Sequence, residues 1–322
     1  KMRRLFKIVL TLFELVSLPI LIIGAFLLKF YRTRGSKRLK LSTKILKSIG
    51  VFPIIDNYYE PLFNDKKILN DLSAPRKLPG IEFNYANQLI FLKKLTYQNE
   101  FVAFVNEEKN KNLESSFELK NGSFESGDAD FLYNFLRFIK PKKVIEIGCG
   151  SSSKIISKAL NNNKKENNIF FKHICIEPYE HPWLEKFPEI DLIREKVENV
   201  ELELFQNLED GDFLFIDSSH IIRPQGDVLH EYLTIIPSLA SGVYVHIHDI
   251  FSPHDYKEEW LKENVLFWNE QYLLEALLSN TNSFEIIASL NLLMKNNYDD
   301  LKKVCPYLTI DREPGSFYFK TI

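Results

Sequence analysis

Apolar runs of four to seven residues recur through the second half of the chain and are separated by longer segments of mixed polarity. Five of these runs predict buried strands, at residues 144–147, 170–176, 191–194, 213–216 and 243–247. Continuous apolar runs of this length are typical of strands covered on both faces by helices. Two further strands are predicted at 284–288 and 316–321, the second after the Pro-Gly turn at 314–315. The pattern predicts an α/β fold built on a mostly parallel sheet.

A different pattern occupies residues 8–28, which are almost wholly apolar. A helix of this length spans roughly 30 Å, the thickness of a bilayer core. Basic residues flank the segment and are more numerous after it: Lys1, Arg3, Arg4, Lys7, Lys29, Arg32, Arg34, Lys37, Arg38 and Lys40. This bias favours a cytoplasmic location for the rest of the chain. We therefore predict a membrane anchor at residues 1–40.

Polar positions inside the apolar segment leave its mode of attachment open. Thr11, Glu14 and Ser17 recur every three residues and would share one helical face. Pro19 would kink the helix. A spanning helix and a monotopic or re-entrant helix both fit this pattern. A cleaved signal peptide is disfavoured, because the stretch is long, lacks a small-x-small cleavage site and ends in a basic cluster.

Residues 41–120 alternate short apolar runs with turn signals, which predicts a cap or lid region of helices and loops. A helix is expected at 41–49, ended by Gly50. The aromatic segment 51–61 then contains three candidate substrate contacts: Tyr58, Tyr59 and Glu60. These residues belong either to a lid over a substrate pocket or to an aromatic linker packed on the main domain.

The first predicted strand runs into Val-Ile-Glu-Ile-Gly-Cys-Gly-Ser-Ser-Ser at 144–153. Gly148 and Gly150 allow a sharp turn and a close approach of the backbone to a ligand. A helix is predicted to begin near Ser152, and its first amide groups would point at the same place. Glu146 lies two residues before the first glycine. The combination predicts a site for a nucleotide-like cofactor.

Polar residues follow the other strands as well. Glu177 ends the second strand, where an acid commonly binds the hydroxyls of a ribose, and Glu198 lies beyond the third. Asp217 follows the fourth strand, and His248 and Asp249 follow the fifth. Ligands of open parallel sheets bind beyond the carboxyl ends of the strands, so these residues are expected to line one site.

These motifs resemble the class I S-adenosylmethionine-dependent methyltransferases over roughly residues 121–322. An acid two residues before the first glycine, as in Glu146-Ile-Gly-Cys-Gly, is the usual first motif of that family. The stretches Phe-Ile-Asp-Ser-Ser-His at 215–220 and His-Ile-His-Asp-Ile-Phe at 246–251 are most similar to its sugar and small-molecule O-methyltransferases. The resemblance implies a Rossmann-like, seven-stranded sheet with an antiparallel edge strand, as the catalytic domain of the chain.

The resemblance also implies roles for single residues. Gly148 and Gly150 would approach the methionine part of S-adenosylmethionine. Glu146 would help to fix its amino group through the loop, and Glu177 would bind the ribose. Three more residues are candidates for cofactor contact: Ser152, Asp217 and Asp128, the last of which precedes the first helix of the domain.

Methyl transfer to oxygen needs a group that removes the proton of the acceptor. The candidates for catalysis are Asp217, His220, His248 and Asp249. By resemblance to metal-dependent O-methyltransferases, Asp217 and Asp249 would hold magnesium or manganese, with His220 and His248 as further candidate ligands. Ile250 stands where the catechol-type enzymes carry asparagine. Without a metal, His248 or His220 would be the general base.

Three other predictions concern the neighbourhood of this site. His246 alternates with His248 on one strand and is predicted to be structural, whereas His254 is a candidate substrate contact just past that strand. The polar stretch 161–168 is predicted to be a solvated loop. One helix beginning near Tyr256 is predicted to carry four aromatic residues: Trp260, Phe267, Trp268 and Tyr272.

The composition narrows the class of partner. The formal net charge of −2 disfavours nucleic acid, because a phosphate-binding surface normally makes its domain clearly basic. The cysteines are odd in number, and two of the three, Cys149 and Cys175, lie in or beside predicted strands. They indicate reduced thiols of a cytosolic protein rather than a disulfide framework.

The resulting hypothesis is a membrane-associated O-methyltransferase with a cytoplasmic catalytic domain. It would transfer the methyl group of S-adenosylmethionine to a sugar, a glycan or another small hydroxylated acceptor. An NAD-dependent oxidoreductase is the first alternative, disfavoured because Ser153 stands where a dinucleotide-binding loop would carry a third glycine. A non-catalytic module that binds S-adenosylmethionine is the second. The oligomeric state stays open.

Overall fold

The computed structural model of the protein describes residues 2–35, 38–109, 111 and 116–322. The chain divides into two compact units, Lys1–Asn70 and Asp71–Ile322. The first unit contains α1 (Met2–Phe30), a π-helical turn (Tyr31–Gly35), α2 (Lys40–Ile49) and a 3-10 turn (Asp65–Lys67). The functional division into anchor, cap and catalytic domain stays a prediction.

In the first unit, α1 continues through Pro19 without a break. The segment Leu5–Gly35 has a mean hydropathy of 2.4, and among the described residues it is the one helix long and apolar enough to cross a membrane. Its polar side chains bond to the helix itself: Thr11 Oγ1 donates to the Lys7 carbonyl at 3.0 Å. As expected, α2 ends at Gly50, whose positive φ of 82° closes the helix.

The second unit contains the sheet and the remaining helices. Its strands are β1 (Lys143–Ile147), β2 (Lys172–Ile176), β3 (Asp191–Ile193), β4 (Phe213–Ile216), β5 (Tyr244–Ile247), β6 (Phe284–Ser289) and β7 (Phe317–Thr321). Its helices are α3 (Tyr85–Leu92), α4 (Gln98–Glu108), α5 (Asp128–Ile139), α6 (Ser151–Asn167), α7 (Glu203–Gln206), α8 (Asp227–His230), α9 (Ile236–Ser238), α10 (Glu258–Lys262), α11 (Glu270–Leu278) and α12 (Leu290–Val304).

The seven strands form one sheet in the order β3-β2-β1-β4-β5-β7-β6. Strands β1 to β5 pair in parallel, and β7 runs antiparallel to both of its neighbours, β5 and β6. This confirms the predicted Rossmann-like, mostly parallel architecture. The antiparallel strand lies one position inside the edge strand β6.

Both faces of the sheet are covered, which explains the continuous apolar runs of the sequence. Successive residues of β4 divide between the two cores: Phe213 and Phe215 pack on the side of α5 and α6, while Leu214 and Ile216 pack on the opposite side. Part of the predicted cap region joins the first core, because Phe101 of α4 contacts its rings. The carboxyl ends of β1, β2, β4 and β5 are thereby held at one edge of a rigid sheet.

Two local predictions were wrong. Residues 161–168 are not a loop, because α6 extends to Asn167 and ends at Asn168 in the left-handed conformation. The buried Asn163 fixes this last part of α6 by donating to the Leu136 carbonyl at 3.0 Å. The aromatic segment after Tyr256 is not one helix either, since α10 ends at Lys262 and α11 begins at Glu270.

The break between α10 and α11 has a local cause. Leu266 N–H donates to the Trp260 carbonyl at 2.8 Å, and Val265 takes a positive φ of 55°, so the chain turns back at this point. The turn brings Trp268 against Trp260, with ring centroids 4.9 Å apart in an edge-to-face arrangement. Tertiary packing of aromatic rings thus replaces the helical spacing that the sequence suggested.

Candidate active site

Two cavities open at the carboxyl ends of the strands. The smaller, of about 440 Å³, is lined by the loop after β1, the ends of β2 and β4, and residues 196–198. The larger, of about 880 Å³, lies at the ends of β4 and β5 and is lined further by residues of α10, α12 and the segment before β7. Ser123 and Asp217 line both cavities. Asp217 therefore lies on a wall that the two cavities share.

The glycine loop is shaped first by the sheet. Gly148 has a φ of 79°, and a Cβ atom there would lie 1.9 Å from the Asp217 carbonyl oxygen. Glycine is required because the loop crosses directly over the end of β4. Gly150 N–H donates to Ser153 Oγ at 3.0 Å, at the start of α6. Gly148, Gly150 and Ser152 all line the smaller cavity, and their contact with a cofactor stays a prediction.

Glu146 is fully buried beneath this loop and lines neither cavity. Ser152 Oγ donates to its Oε1 at 2.6 Å, and His173 Nε2 lies 2.9 Å from its Oε2. The Cys175 thiol donates to the same Oε2 at 3.4 Å. Glu146 thus ties the first turn of α6 to β2, which is the kind of indirect support for the loop that its predicted role requires.

Glu177 lines the smaller cavity at the end of β2. Its Oε1 accepts backbone N–H groups of Tyr179 at 2.8 Å and Glu180 at 2.9 Å. Among the described residues no hydrogen-bond partner is seen for Oε2. A carboxylate that is oriented through one oxygen and keeps the other available suits the hydroxyls of a ribose. Glu198 lines the same cavity.

Two histidines and two aspartates meet at the ends of β4 and β5. His220 Nε2 lies 3.3 Å from Asp217 Oδ1 and 3.6 Å from Asp249 Oδ2. His248 Nδ1 lies 3.4 Å from Asp217 Oδ1 and 3.6 Å from Asp249 Oδ2. The four candidates for catalysis are therefore one cluster on the wall of the larger cavity. We call these four residues the strand-end cluster.

The charges of this cluster depend on each other. Burial disfavours the charged form of Asp217, but His248 and His220 hold the pKa of this carboxyl well below its usual range. Burial also opposes the charge on His220, yet Asp217 and Glu270 raise its pKa well above the usual value. Burial likewise opposes the charge on His248, but Asp249 and Asp217 raise its pKa well above the usual value. Burial raises the pKa of Asp249.

A fifth residue, which the sequence analysis missed, orients the cluster. Glu270, fully buried at the start of α11, places Oε2 2.8 Å from His220 Nδ1 and accepts the Tyr232 hydroxyl on Oε1 at 3.0 Å. The bond fixes the imidazole so that Nε2 faces the two aspartates. Nothing in the sequence indicated this role, because an acid at the start of a helix is a common pattern and Glu270 is far from His220 along the chain.

Residues 145–250 match the family model described as a methyltransferase domain. The match covers about a third of the chain and contains the glycine loop, Glu177 and the strand-end cluster. It supports the predicted resemblance to methyltransferases where the motifs lie. An uncharacterized protein of Archaeoglobus fulgidus is 29% identical over 165 residues, which are 48% of this chain and 73% of that protein.

Solved structures resemble the chain more loosely. The O-methyltransferase from Bacillus cereus, in complex with S-adenosylhomocysteine, aligns with a TM-score of 0.38 and 11% identity over 72% of this chain and 99% of its own. A SAM-dependent methyltransferase from Archaeoglobus fulgidus aligns with a TM-score of 0.29 and 17% identity, over 60% of this chain and 94% of its own. Overlaps at this level carry no information about the substrate.

Asp128 lines the larger cavity and does not line the smaller cavity beside the glycine loop. Its Oδ1 accepts the backbone N–H groups of Gly315 at 3.0 Å and Ser316 at 2.8 Å. Its Oδ2 lies 3.8 Å from His248 Nε2. Asp128 therefore joins the segment before β7 to the strand-end cluster, and its predicted contact with the cofactor stays a prediction.

The remaining histidines divide as the sequence analysis expected. His246 is fully buried, stacks on Phe215 at 4.3 Å and lies 3.0 Å from Ser316 Oγ through Nε2. Burial, aided by the charge on His248, holds its pKa well below the usual value, which is consistent with a neutral residue of the core. His254 lines the larger cavity.

The predicted lid residues belong to the first unit of the chain. Tyr58 and Tyr59 are 92% and 89% exposed and contact each other edge to face, with ring centroids 5.1 Å apart. Glu60 forms a salt bridge with Arg32 at 2.6 Å, just after α1. Their contact with a substrate stays a prediction.

The donor set of the strand-end cluster fits a divalent cation. Asp217, His248 and Asp249 each offer one ligand atom, and these atoms all lie within 4.8 Å of one another. Ile250 is fully buried in the core, so the position after Asp249 supplies no ligand. Two carboxylates with one imidazole suit magnesium or manganese, and the imidazole also suits a transition metal. Without a cation, the raised pKa values of His220 and His248 favour their protonated forms, whereas a bound cation would take over this positive charge and leave both imidazoles neutral.

Proposed function

We propose that the protein is an S-adenosylmethionine-dependent O-methyltransferase that acts on a sugar, a glycan or another small hydroxylated acceptor. The observation that carries the proposal is the position of Asp217 on a wall shared by the two cavities. One cavity has the glycine loop and the acid of a nucleoside-binding site, and the other has the acid-base cluster of a transfer site. A methyltransferase domain requires both.

On the cofactor side, Glu177 would bind the ribose hydroxyls through Oε2, and the glycine loop would receive the methionine part. S-adenosylmethionine supplies an electrophilic methyl group. Ser152, held by Glu146 at 2.6 Å, and the first amide groups of α6 line the cavity where a carboxylate can be bound. The chain thereby orients the cofactor from both ends, and orientation is a large part of the catalysis of group transfer.

On the acceptor side, we assign to His220 the role of the base that removes the proton of the acceptor hydroxyl. Its Nδ1 is fixed by Glu270 at 2.8 Å, so its Nε2 is held toward the point between Asp217 and Asp249. Asp217, Asp249 and His248 would hold a magnesium or manganese ion, which lowers the pKa of a bound acceptor hydroxyl. His220, neutral when the cation is bound, would receive the proton of the acceptor hydroxyl through Nε2 as the oxygen takes the methyl group and S-adenosylhomocysteine is released.

Attachment to a membrane is part of the proposal. Helix α1 exposes its apolar side chains, including Leu12, Val16 and Ile20, and its hydropathy is sufficient for a bilayer. The basic residues after it favour a cytoplasmic methyltransferase domain. An acceptor at the membrane surface, such as a lipid-linked glycan, would match this arrangement.

Calorimetric titration of the full chain with S-adenosylhomocysteine tests the cofactor assignment. We expect micromolar affinity, and a loss of at least tenfold for Glu177→Ala, because the ribose loses its partner. Glu209→Ala is the matched control, since Glu209 is exposed near the opposite ends of the strands and lines neither cavity. Saturable binding of NADH without binding of S-adenosylhomocysteine would instead support the oxidoreductase.

The metal and the catalytic role need separate measurements. Manganese binding, followed by the loss of the free-ion electron paramagnetic resonance signal, is expected for the intact protein and for Asp210→Asn, an exposed control. Asp249→Asn should lose it, because a ligand oxygen is removed. His220→Ala should keep the affinity for S-adenosylhomocysteine and lose methyl transfer. Retained transfer by His220→Ala contradicts the proton assignment, and no transfer by the intact protein to any hydroxylated acceptor favours the binding module.

A further inference from the structure

Asn291, the second residue of α12, has a buried side chain whose polar atoms form no hydrogen bond within the described residues. It is 1% exposed and lines the larger cavity. Within the part of the chain that the structure describes, neither its Oδ1 nor its Nδ2 has a hydrogen-bond partner. Among the described residues it is the one buried side chain in which two polar atoms lack a partner. Burial without a hydrogen bond costs free energy, so such a residue needs a ligand or a bound water to offset the cost.

His254 lies beside Asn291, in a side-chain contact that does not have the distance and angles of a hydrogen bond, and shares this property. It is 5% exposed, lines the same cavity, and its Nδ1 has no partner in residues 2–35, 38–109, 111 and 116–322. Its backbone is nevertheless firmly held, because its carbonyl accepts Gln271 Nε2 at 2.9 Å and Arg76 Nη2 at 3.2 Å. These bonds hold the backbone of His254 and leave Nδ1 of its imidazole without a partner among the described residues.

Two of the charged side chains that line the same cavity are paired, and the Lys257 ammonium lies over the rings of Phe251 and Trp260. Lys295, one turn after Asn291, is paired with Glu313, and Arg312 forms a salt bridge with Glu125 at 3.1 Å. Burial lowers the pKa of His254, which leaves the imidazole neutral near pH 7. Among the described residues that line the cavity, the two side chains whose buried polar atoms lack a partner are therefore neutral: an amide that donates and accepts, and an imidazole nitrogen. Neutral hydroxyl groups, which also donate and accept, match this set better than an anion does.

Aromatic rings complete the wall of the cavity. Four aromatic residues line it: Phe251, Tyr256, Trp260 and Trp268. Planar polar side chains beside aromatic rings match a molecule that has hydroxyl groups on its rim and an apolar face. A pyranose ring has both.

We propose that Asn291 and His254 form a recognition site for adjacent hydroxyl groups of a sugar ring on the acceptor. The proposal rests on the proposed function and gives it one substrate class, a carbohydrate. The strand-end cluster would then act on one hydroxyl while Asn291 and His254 hold others, which fixes which oxygen faces the methyl group. The two residues are binding residues and take no part in proton transfer.

The test uses the full chain in phospholipid nanodiscs, because a sugar detergent would compete for the site. Saturation-transfer NMR reports binding of the methyl glycosides of glucose, galactose and mannose, with catechol as a non-sugar diol. Calorimetry with S-adenosylhomocysteine reports the cofactor site independently. The variants are Asn291→Leu and His254→Phe. Asn296→Leu is the control, since Asn296 lies on the exposed side of α12 and donates to the Leu292 carbonyl of its own helix.

We expect at least one glycoside to bind the intact protein and Asn296→Leu, and to bind both site variants at least tenfold more weakly. The affinity for S-adenosylhomocysteine should change less than twofold, which also shows that the variants are folded. If Asn291→Leu fails to fold, His254→Phe decides. Equal glycoside binding by the folded variants overturns the inference, as does binding of catechol alone. Binding of S-adenosylhomocysteine without any glycoside overturns it and leaves the proposed function standing, whereas binding of neither removes both.

Discussion

Gly148 is constrained by the protein itself before any ligand binds. Two separate constraints act on it. Its φ is 79°, and a Cβ atom at this position would lie only 1.9 Å from the Asp217 carbonyl oxygen. For Gly148→Ala we expect a loss of stability well above the roughly 1–2 kcal/mol of left-handed strain alone, because β1 and β4 must move apart. Affinity for S-adenosylhomocysteine should fall with it. Denaturant unfolding and calorimetry measure the two effects.

Gly211→Ala is the control for this experiment. Gly211 has a φ of 89°, and a Cβ there would have no atom within 4 Å, so it shares the backbone strain and lacks the clash. The difference between the two variants isolates the contact with β4. Equal stability losses would mean that the loop can shift away from Asp217 at little cost.

His173 and Glu146 form a fully buried pair below the glycine loop, 2.9 Å apart. Burial opposes the charge on His173, but Cys175 and Glu146 raise its pKa to about 10. Since the unfolded value is about 6.5, this stabilisation is complete below about pH 6.5 and is lost as the pH rises through 10. We expect His173→Gln to destabilise the protein by about 3–5 kcal/mol at pH 6, and by less at pH 10.

Thermal unfolding of both proteins at the two pH values measures this prediction. His181→Gln is a suitable control, because the side chain of His181 is 42% exposed and lies 3.7 Å from the exposed Glu180. The control should show little change at either pH. A loss of stability for His173→Gln that is equal at pH 6 and pH 10 would show that packing, and not charge, makes the pair stabilising.

At the scale of elements, Asp128 connects the start of α5 to the start of β7. It accepts the N–H groups of Gly315 and Ser316, two donors that the sheet leaves unpaired before β7 begins. We expect Asp128→Ala to increase amide exchange over residues 315–319 at least tenfold, while Asp128→Asn, which keeps an acceptor oxygen, changes it less. Hydrogen exchange with mass spectrometry resolves this segment. Equal exchange in the two variants would assign the effect to charge instead of the hydrogen bonds.

The strands were the predictable elements. All seven predicted strands are present, and the central ones are apolar because both of their faces are covered, whereas the edge strand β3 has the exposed Asp191. Helices were less predictable where their polarity or packing departs from a simple face. The end of α6 is polar and still helical because Asn163 is bonded from within the core. The gap between α10 and α11 follows from contacts of Trp260 and Trp268 that no local spacing encodes.

The residues of the candidate site that follow strands were predictable, and those that come from helices were not. Residues directly after β2, β4 and β5 meet because the sheet is parallel, so Glu177, Asp217 and Asp249 could be placed from the sequence. Glu270 and Asn291 could not, because they reach the site from α11 and α12 through tertiary packing. A helix-terminal acid and an asparagine in a polar helix give no signal of their own.

At the scale of the whole molecule, the division at residues 70 and 71 separates two kinds of surface. Lys1–Asn70 contains α1 with its exposed apolar side chains, and Asp71–Ile322 contains the sheet with both cavities. The smaller cavity is lined only by residues from Ser123 onward. The cofactor site therefore needs no residue of the first unit.

We expect the fragment 71–322 to stay in solution without detergent and to bind S-adenosylhomocysteine within twofold of the full chain. The physical reason is that its core is complete: both hydrophobic clusters of the sheet consist of residues after position 71. Size-exclusion chromatography and calorimetry on the fragment, beside the full chain in nanodiscs, measure both parts. A fragment that aggregates would show that the first unit covers apolar surface of the second. A soluble fragment with weakened binding would instead assign residues such as Tyr58 and Tyr59 a part in closing the site, which is the lid that the sequence suggested.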